Sequence, residues 1–281
     1  MVKQSVEQQK KEQAPEILEQ GAAGMDVHEP RAAVLSGELP CGHLDAAGQV
    51  HFSYVVTEMT GTEEDLLAGK GPVIPRLNRV IGNCLVSLGS ITDPLALHAA
   101  AQALTSMDRM VLLIALRRAS LGDAYDMRMG CPSCHREAAF GVDLSGLEVT
   151  PMPDRTVRTF TEPLPSGRVA TWHVMMTEDE EWAARKRRGN EDDLLTLSML
   201  ARVSRVGSQA LDRERGWGEA RSALKALPMR DRERLRIAFD EREGGVDDEV
   251  EFACAECGHE WRASLDVAQP GFFFPSAASG R

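Results

Sequence analysis

The sequence lacks the short signatures that mark a catalytic centre. Its seven histidines form no HExxH, no GxSxG marks a nucleophile elbow, and Gly69-Lys70-Gly71 has neither the spacing nor the Ser or Thr of a phosphate-binding loop. No catalytic constellation follows, so the chain reads as a non-enzyme without a small-molecule substrate. A long apolar run is also missing. The longest, Met110 to Leu116, falls far short of the roughly 20 residues that a bilayer crossing needs. Met1 to Gln20 is rich in Gln, Glu and Lys without an apolar stretch; it fits neither a secretion signal nor a span and places the chain in the cytoplasm. Positive charge is scarce as well. With 32 Lys and Arg against 43 Asp and Glu the net charge is −11, which argues against a protein built to coat phosphate backbones. The one basic run, Arg185-Lys186-Arg187-Arg188, lies between the acidic blocks Glu178 to Glu181 and Glu191 to Asp193 and reads as a solvated helix face.

What the chain does have is a repeat. Sliding the sequence on itself by 123 residues brings Ala103, Leu104, Asp108, Arg109, Leu112, Ile114, Ala115, Gly122, Cys131, Cys134, Glu137 and Asp143 onto identical residues without a gap. Their counterparts are Ala226, Leu227, Asp231, Arg232, Leu235, Ile237, Ala238, Gly245, Cys254, Cys257, Glu260 and Asp266. Self-similarity at a fixed period points to a duplicated structural unit. An apolar fraction of 43% over 281 residues allows packed cores.

The fold expected is α+β, an internally duplicated hairpin-plus-helices unit whose copies are joined by a four-cysteine zinc ribbon. Residues 1–30 read as a polar tail without packed structure, 31–147 as the first repeat and 148–281 as the second, ending in a Phe-rich segment. Leu39-Pro40-Cys41-Gly42 leads into an alternating stretch, His51 to Thr57, and on to Glu63-Glu64-Asp65-Leu66-Leu67. Leu164-Pro165-Ser166-Gly167, Ala170 to Met176 and Glu191-Asp192-Asp193-Leu194-Leu195 repeat that order, so each unit opens with a hairpin and proceeds to helices. From Val73 to Leu88 the apolar residues recur at three and four, one face of a helix with Cys84 on it as a small buried hydrophobe. A further helix is predicted from Met107 to Arg118, capped by Thr105 or Ser106 and stopped by Gly122, with a mate from Asp231 to Glu241. Asp108-Arg109 and Asp231-Arg232 open these two helices, where Asp favours the positive end of the dipole.

Six cysteines in a chain that stays inside point to thiols and metal rather than disulfides. Cys131-Pro132-Ser133-Cys134 and Cys254-Ala255-Glu256-Cys257 each follow a predicted helix and lie between two strand-like segments, Phe140 to Leu144 closing the first and Trp261 to Val267 the second. That is the setting of a zinc knuckle, and two knuckles supply the four ligands of one tetrahedral structural ion. Cys41 aligns with Ser166 and is therefore not expected to be a ligand. Cys131 to His135 also spells the CxxCH of haem attachment, but attachment requires export, and the second copy has Gly258 at the His position. A thioredoxin-like pair would be single and would open a helix. Aromatics are few, with eight Phe, four Trp and two Tyr, so Phe272-Phe273-Phe274 stands out. Three consecutive rings cannot all face one core; at least one is expected to meet a partner or a neighbouring domain, with Trp172 and Trp182 as further candidate anchors whose more ordinary reading is core packing.

Several of these residues together resemble the T-even (T4-like) phage baseplate hub and hub-assembly family, found in contractile phage tails and phage-derived injection systems. The matching residues are Thr57, Glu58, Asp108, Arg109, Arg117, Gly122, Asp123, Tyr125, Cys131, Pro132, Cys134, Asp143, Leu144, Leu164, Pro165, Gly167, Thr177 and Glu180. The resemblance runs from about residue 35 to about residue 275 and is most specific from Asp108 to Leu144. It implies a non-enzymatic part of the central baseplate, or a factor that helps to build it, with other baseplate proteins as partners. Cytoplasmic residence during assembly and a place in the particle baseplate follow from the same resemblance. A zinc-ribbon adaptor for nucleic acid, resting on the Arg185 to Arg188 run, is the alternative reading.

Overall fold

In the computed structural model residues 34–187 and 193–274 are described; the predicted polar tail, Arg188 of the basic run, Glu191 and Asp192 lie outside them. The chain begins with a hairpin, β1 (Val34–Leu44) and β2 (Val50–Thr57). Its turn is held by Asp45, whose carboxylate accepts from the amides of Ala47 (2.9 Å) and Gln49 (2.8 Å). Helix α1 (Gly61–Ala68) starts with a capping box between Thr60 and Glu63. In α2 (Val73–Cys84) the expected apolar face buries Leu77, Val80, Ile81 and Cys84. The helix then ends four residues early: Leu85–Leu88 forms β3, which adds to β2 and completes the sheet β1-β2-β3. Helix α3 (Pro94–Gln102) follows an Asp93 cap. Helix α4 (Ser106–Leu121) has the predicted Thr105 cap and stops at Gly122, which adopts φ 84°. Every residue of α4 from Val111 to Arg117 is buried. The hairpin β4 (Ala124–Gly130) and β5 (Glu137–Asp143) then carries the first cysteine pair.

After β6 (Val149–Thr150) a similar order returns. A hairpin β7 (Thr159–Pro163) and β8 (Val169–His173) precedes α5 (Thr177–Arg187) and α6 (Leu194–Arg202). Helix α6 runs directly into β9 (Val203–Val206), as α2 runs into β3, and β10 (Gln209–Ala210) closes the sheet β10-β9-β8-β7. Helices α7 (Trp217–Lys225) and α8 (Met229–Arg242) lead through β11 (Gly245–Val246), paired with β6, to the hairpin β12 (Glu249–Ala253) and β13 (Glu260–Ser264). The acidic stretches do not occupy like places: Glu63 to Leu67 sits inside α1, whereas Leu194 and Leu195 open α6.

The described residues belong to one compact unit with two main cores. The second is built around Trp172, wholly buried between Phe160 (4.8 Å, stacked) and Phe239 (4.8 Å, edge-on), with Trp182 beside it. The first packs α1 to α4 on their sheet and also takes in Phe252, Leu265, Val267, Phe272 and Phe273 from the end of the chain. The aromatic residues proposed as partner anchors are thus core in this structure: Trp172, Trp182, Phe272 and Phe273 are at most 4% exposed, and Phe274 is half-buried against the same core. A short turn at Pro270–Phe272 staggers the rings, so that Phe272 packs on Tyr125 and edge-on to Phe273.

Buried carboxylates fix the two LPxG turns. Asp108, with no exposed surface, accepts from the amides of Cys41 (2.8 Å) and Gly42 (3.1 Å), and Asp231 accepts from that of Ser166 (3.0 Å). Gly42 (φ 78°) and Gly167 (φ 83°) both take the left-handed conformation that glycine tolerates. Burial raises the Asp108 carboxyl above its usual range despite the two amides. At the start of α5 burial works against the charge of Asp179, yet the His173 ring (2.9 Å), the Met176 amide (2.8 Å) and the Arg213 guanidinium outweigh it and hold the carboxyl below its ordinary value.

Two outcomes follow for stability. Asp108→Ala strips the acceptor from two amides and Asp231→Ala from one, so urea unfolding is expected to show a loss of about 3 kcal/mol for the first and about half that for the second; equal losses would leave only the dipole role. Asp179→Asn is expected to cost about 3 kcal/mol at pH 7 and less as pH falls below about 4. A carboxyl held low in the folded state stabilises only while it is ionised, so a loss that stays constant down to pH 2 would exclude this account.

Candidate metal centre

Each cysteine pair sits at the tip of a hairpin in the same turn. In the first, the Cys131 amide donates to the Arg136 carbonyl (2.9 Å) and the His135 amide to the Cys131 carbonyl (2.9 Å). In the second, the Cys254 amide donates to His259 (2.9 Å) and the Gly258 amide to Cys254 (2.8 Å). His135 (φ 60°) and Gly258 (φ 69°) occupy one position in that turn, and His135 is the only non-glycine with positive φ among the described residues. Its role in the CxxCH string is therefore conformational.

The two tips meet. Cys131 Sγ lies 3.7 Å from Cys257 Sγ and Cys134 Sγ 3.7 Å from Cys254 Sγ, and all four sulfurs lie within 4.8 Å of one another. A tetrahedral ion with metal–sulfur bonds of about 2.3 Å has edges of about 3.8 Å, so the thiols already stand at the corners such an ion requires. Among the described residues this is the only group of three or more Cys, His, Asp or Glu able to hold a metal. Cys131 and Cys254 face inward, Cys134 is half-buried and Cys257 is exposed. Amides of Cys134 and Ser133 lower the Cys131 thiol to about 6. At Cys134 the Arg136 amide pulls the same way, but burial and the three neighbouring thiols prevail and lift it to about 11. Within this pair the two thiols are thus driven apart, Cys131 towards the thiolate and Cys134 away from it.

The remaining cysteines are core. Burial pushes both Cys41 and Cys84 up to about 12, with Asp108 adding to the effect at Cys41 and Glu63 at Cys84, and neither joins the group. The basic run is engaged in part: Arg185 stands 3.9 Å from Glu181, and Lys186 lies over the Trp217 ring (5.3 Å).

Around the sulfurs the hairpins meet through residues that the sequence did not single out. Phe140 of β5 packs edge-on against Phe252 (5.0 Å) and Trp261 (5.4 Å) of the other hairpin, and Arg136 reaches Glu256 (3.5 Å) across the tips. These rings do not coincide under the 123-residue shift, so the repeat gives no signal for them. An open hollow of about 330 Å³ beside them is lined by Asp143, Glu148, Asp247, Glu249 and Glu251; the run Asp247 to Glu251 is plain in the sequence, its convergence with Asp143 and Glu148 is not.

The model of the family described as T4 bacteriophage base plate protein matches residues 76–274. No curated protein and no solved structure matches the chain.

If four thiolates share one ion, Cys131→Ser and Cys254→Ser are each expected to weaken zinc binding at least about 100-fold, measured by competition with a chromophoric chelator. Unchanged affinity in either variant would mean that the two pairs do not share an ion.

Proposed function

We propose, for a chain that belongs to the T4 bacteriophage base plate protein family, a non-enzymatic structural or assembly role in the hub region of a contractile tail or related injection particle. The observation that carries this reading is the extent of the family match, which runs from within α2 through the last of the three Phe and so takes in the second core, the first core from α2 onward and both cysteine hairpins. The partners are other baseplate proteins; the chain resides in the cytoplasm during assembly and in the particle if it is retained. Among the described residues no helix is long and apolar enough to cross a membrane.

Within that role the chain works as a zinc-stabilised scaffold made of two copies of one unit, residues 31–147 and 148–281. Supporting the duplication are the matched order of hairpin, helices, strand, helices and cysteine hairpin, and the matched bonds from Asp108 and Asp231 to the two LPxG turns. Zinc is favoured over other ions because four thiolates in a tetrahedron are its usual structural set. Cys131, Cys134, Cys254 and Cys257 would hold it, and its contribution there is a cross-link rather than chemistry, since four protein ligands leave no open position. The rival reading, a nucleic-acid adaptor, has only the Arg185 to Arg188 run behind it.

Quantitative mass spectrometry of assembled particles against the soluble lysate of the same cells tests the role. Stoichiometric presence in particles is expected of a structural component, and presence only in the lysate, bound to tail proteins, of an assembly factor. Absence from both associations would overturn the proposal.

A further inference from the structure

We propose that the two cysteine hairpins form a metal-gated module: β4–β5 and β12–β13 stay closed on each other only while the four thiolates share an ion, and they part when it leaves, with the helical cores intact. This rests on the metal reading above and goes beyond it by dividing the molecule into a part the ion holds and parts it does not.

The division follows from where apolar surface is buried. Each hairpin is a two-stranded sheet with no third strand, an arrangement that is marginal in water by itself. Among the described side chains of the four strands only Val142 and Phe252 are buried; the rest alternate between exposed and half-buried. The rings that bridge the hairpins are Phe140, Phe252 and Trp261, with Phe252 and Trp261 5.7 Å apart, and the ion pair across the tips joins two exposed side chains. Such an ion pair is worth little. Three rings, two of them still wet, are a weaker tie than a structural ion whose binding energy is folding energy.

The neighbouring elements are held differently. Helix α4 is buried from Val111 to Arg117. The segment after β13 is anchored without any help from sulfur, through buried Leu265, Val267, Phe272 and Phe273 and a bond from Arg117 Nε to the Phe272 carbonyl (3.2 Å). The second core, around Trp172 and Phe239, contains no residue of either hairpin. Loss of the ion therefore opens the module while the core around α4 and the core around Trp172 stay folded. Opening uncovers Met127, Met129, Phe140 and Trp261, which are partly buried against the first core in the closed form.

Hydrogen exchange on the full chain decides this. Zinc content is measured first, then exchange is followed in the loaded protein before and after a strong chelator removes the metal. Amides within 124–143 and 249–264 are expected to exchange about a hundredfold faster after removal, while those of 111–116 and 197–201 keep their rates. Hairpins that stay protected after the metal has gone, or a chain that loses protection everywhere at once, would overturn the gate. A chain that takes up no zinc at all would overturn the metal reading beneath it, which the initial metal content distinguishes. A second variant separates the ion from the rings. Loaded Trp261→Ala is expected to keep hairpin protection within about tenfold, and opening with the ion still bound would make ring packing the lock and overturn the proposal.

Discussion

Four sulfurs held within 4.8 Å of one another cannot all carry charge unless a cation stands among them. That constraint governs how the rest of the chain is arranged. Cys131 and Cys254 lie 123 residues apart, and they meet only because each follows a long helix by a short strand and because β6 pairs with β11 just ahead of the second hairpin. With an ion in place, mutual repulsion becomes a cross-link that closes a very long loop, and such links restrict the unfolded chain the most. The proposed metal would thus tie the two cysteine hairpins together, whereas elsewhere these parts of the chain are joined by hydrogen bonds, such as those from the Thr177 amide and hydroxyl to the Leu104 carbonyl (3.0 Å each).

A second set of constraints uses buried acids as struts. Asp108 and Asp231 each tie the start of a core helix to a turn more than 60 residues away, and Asp179 ties β8, α5 and Arg213 together. A buried carboxylate is costly unless its oxygens are satisfied; Asp179 uses both, whereas Asp108 and Asp231 each use Oδ1 alone and bury Oδ2 without a hydrogen-bond partner among the described residues. The glycines of the turns serve the same end. A side chain at Gly42 would run into Phe52 and Val50 at under 3 Å, so the turn that Asp108 holds has room for no other residue.

Local signals in the sequence located most elements. The cap of α4, its stop at Gly122, the hairpins and the grouping of the four cysteines were legible because each depends on a short pattern with its own physical cause. The misreadings arose where distant contacts outvote local pattern. Leu85 and Leu88 continue the helical spacing of α2, yet both bury equally well on a strand, and pairing with β2 decides the matter. The three Phe looked too many for one core, but the turn at Pro270–Phe272 rotates successive rings and the first core has room for them. Asp108 and Asp231 read as dipole partners; their larger role, holding the LPxG turns, joins two motifs that the sequence had flagged separately. Nothing in the 123-residue shift marks Phe140, Phe252 and Trp261, because the contact they make exists only once the two hairpins face each other.

The two halves differ most in what covers their last helix, and the difference bears on how the chain can be used. Helix α4 is enclosed, with the end of the chain bonded to it through Arg117 and Phe272. At the matching place α8 buries only Asp231, Leu235, Ala238 and Phe239, and leaves Met229 and Ile237 exposed. Phe272 and Phe273 share a core with Val111, Leu113 and Leu116 of α4, whereas α8 exposes Glu233, Asp240 and Glu241 beside Ile237. The two proposed copies thus differ in surface, an enclosed α4 against an α8 with an open, charged side, and two different faces suit contacts with two different neighbours.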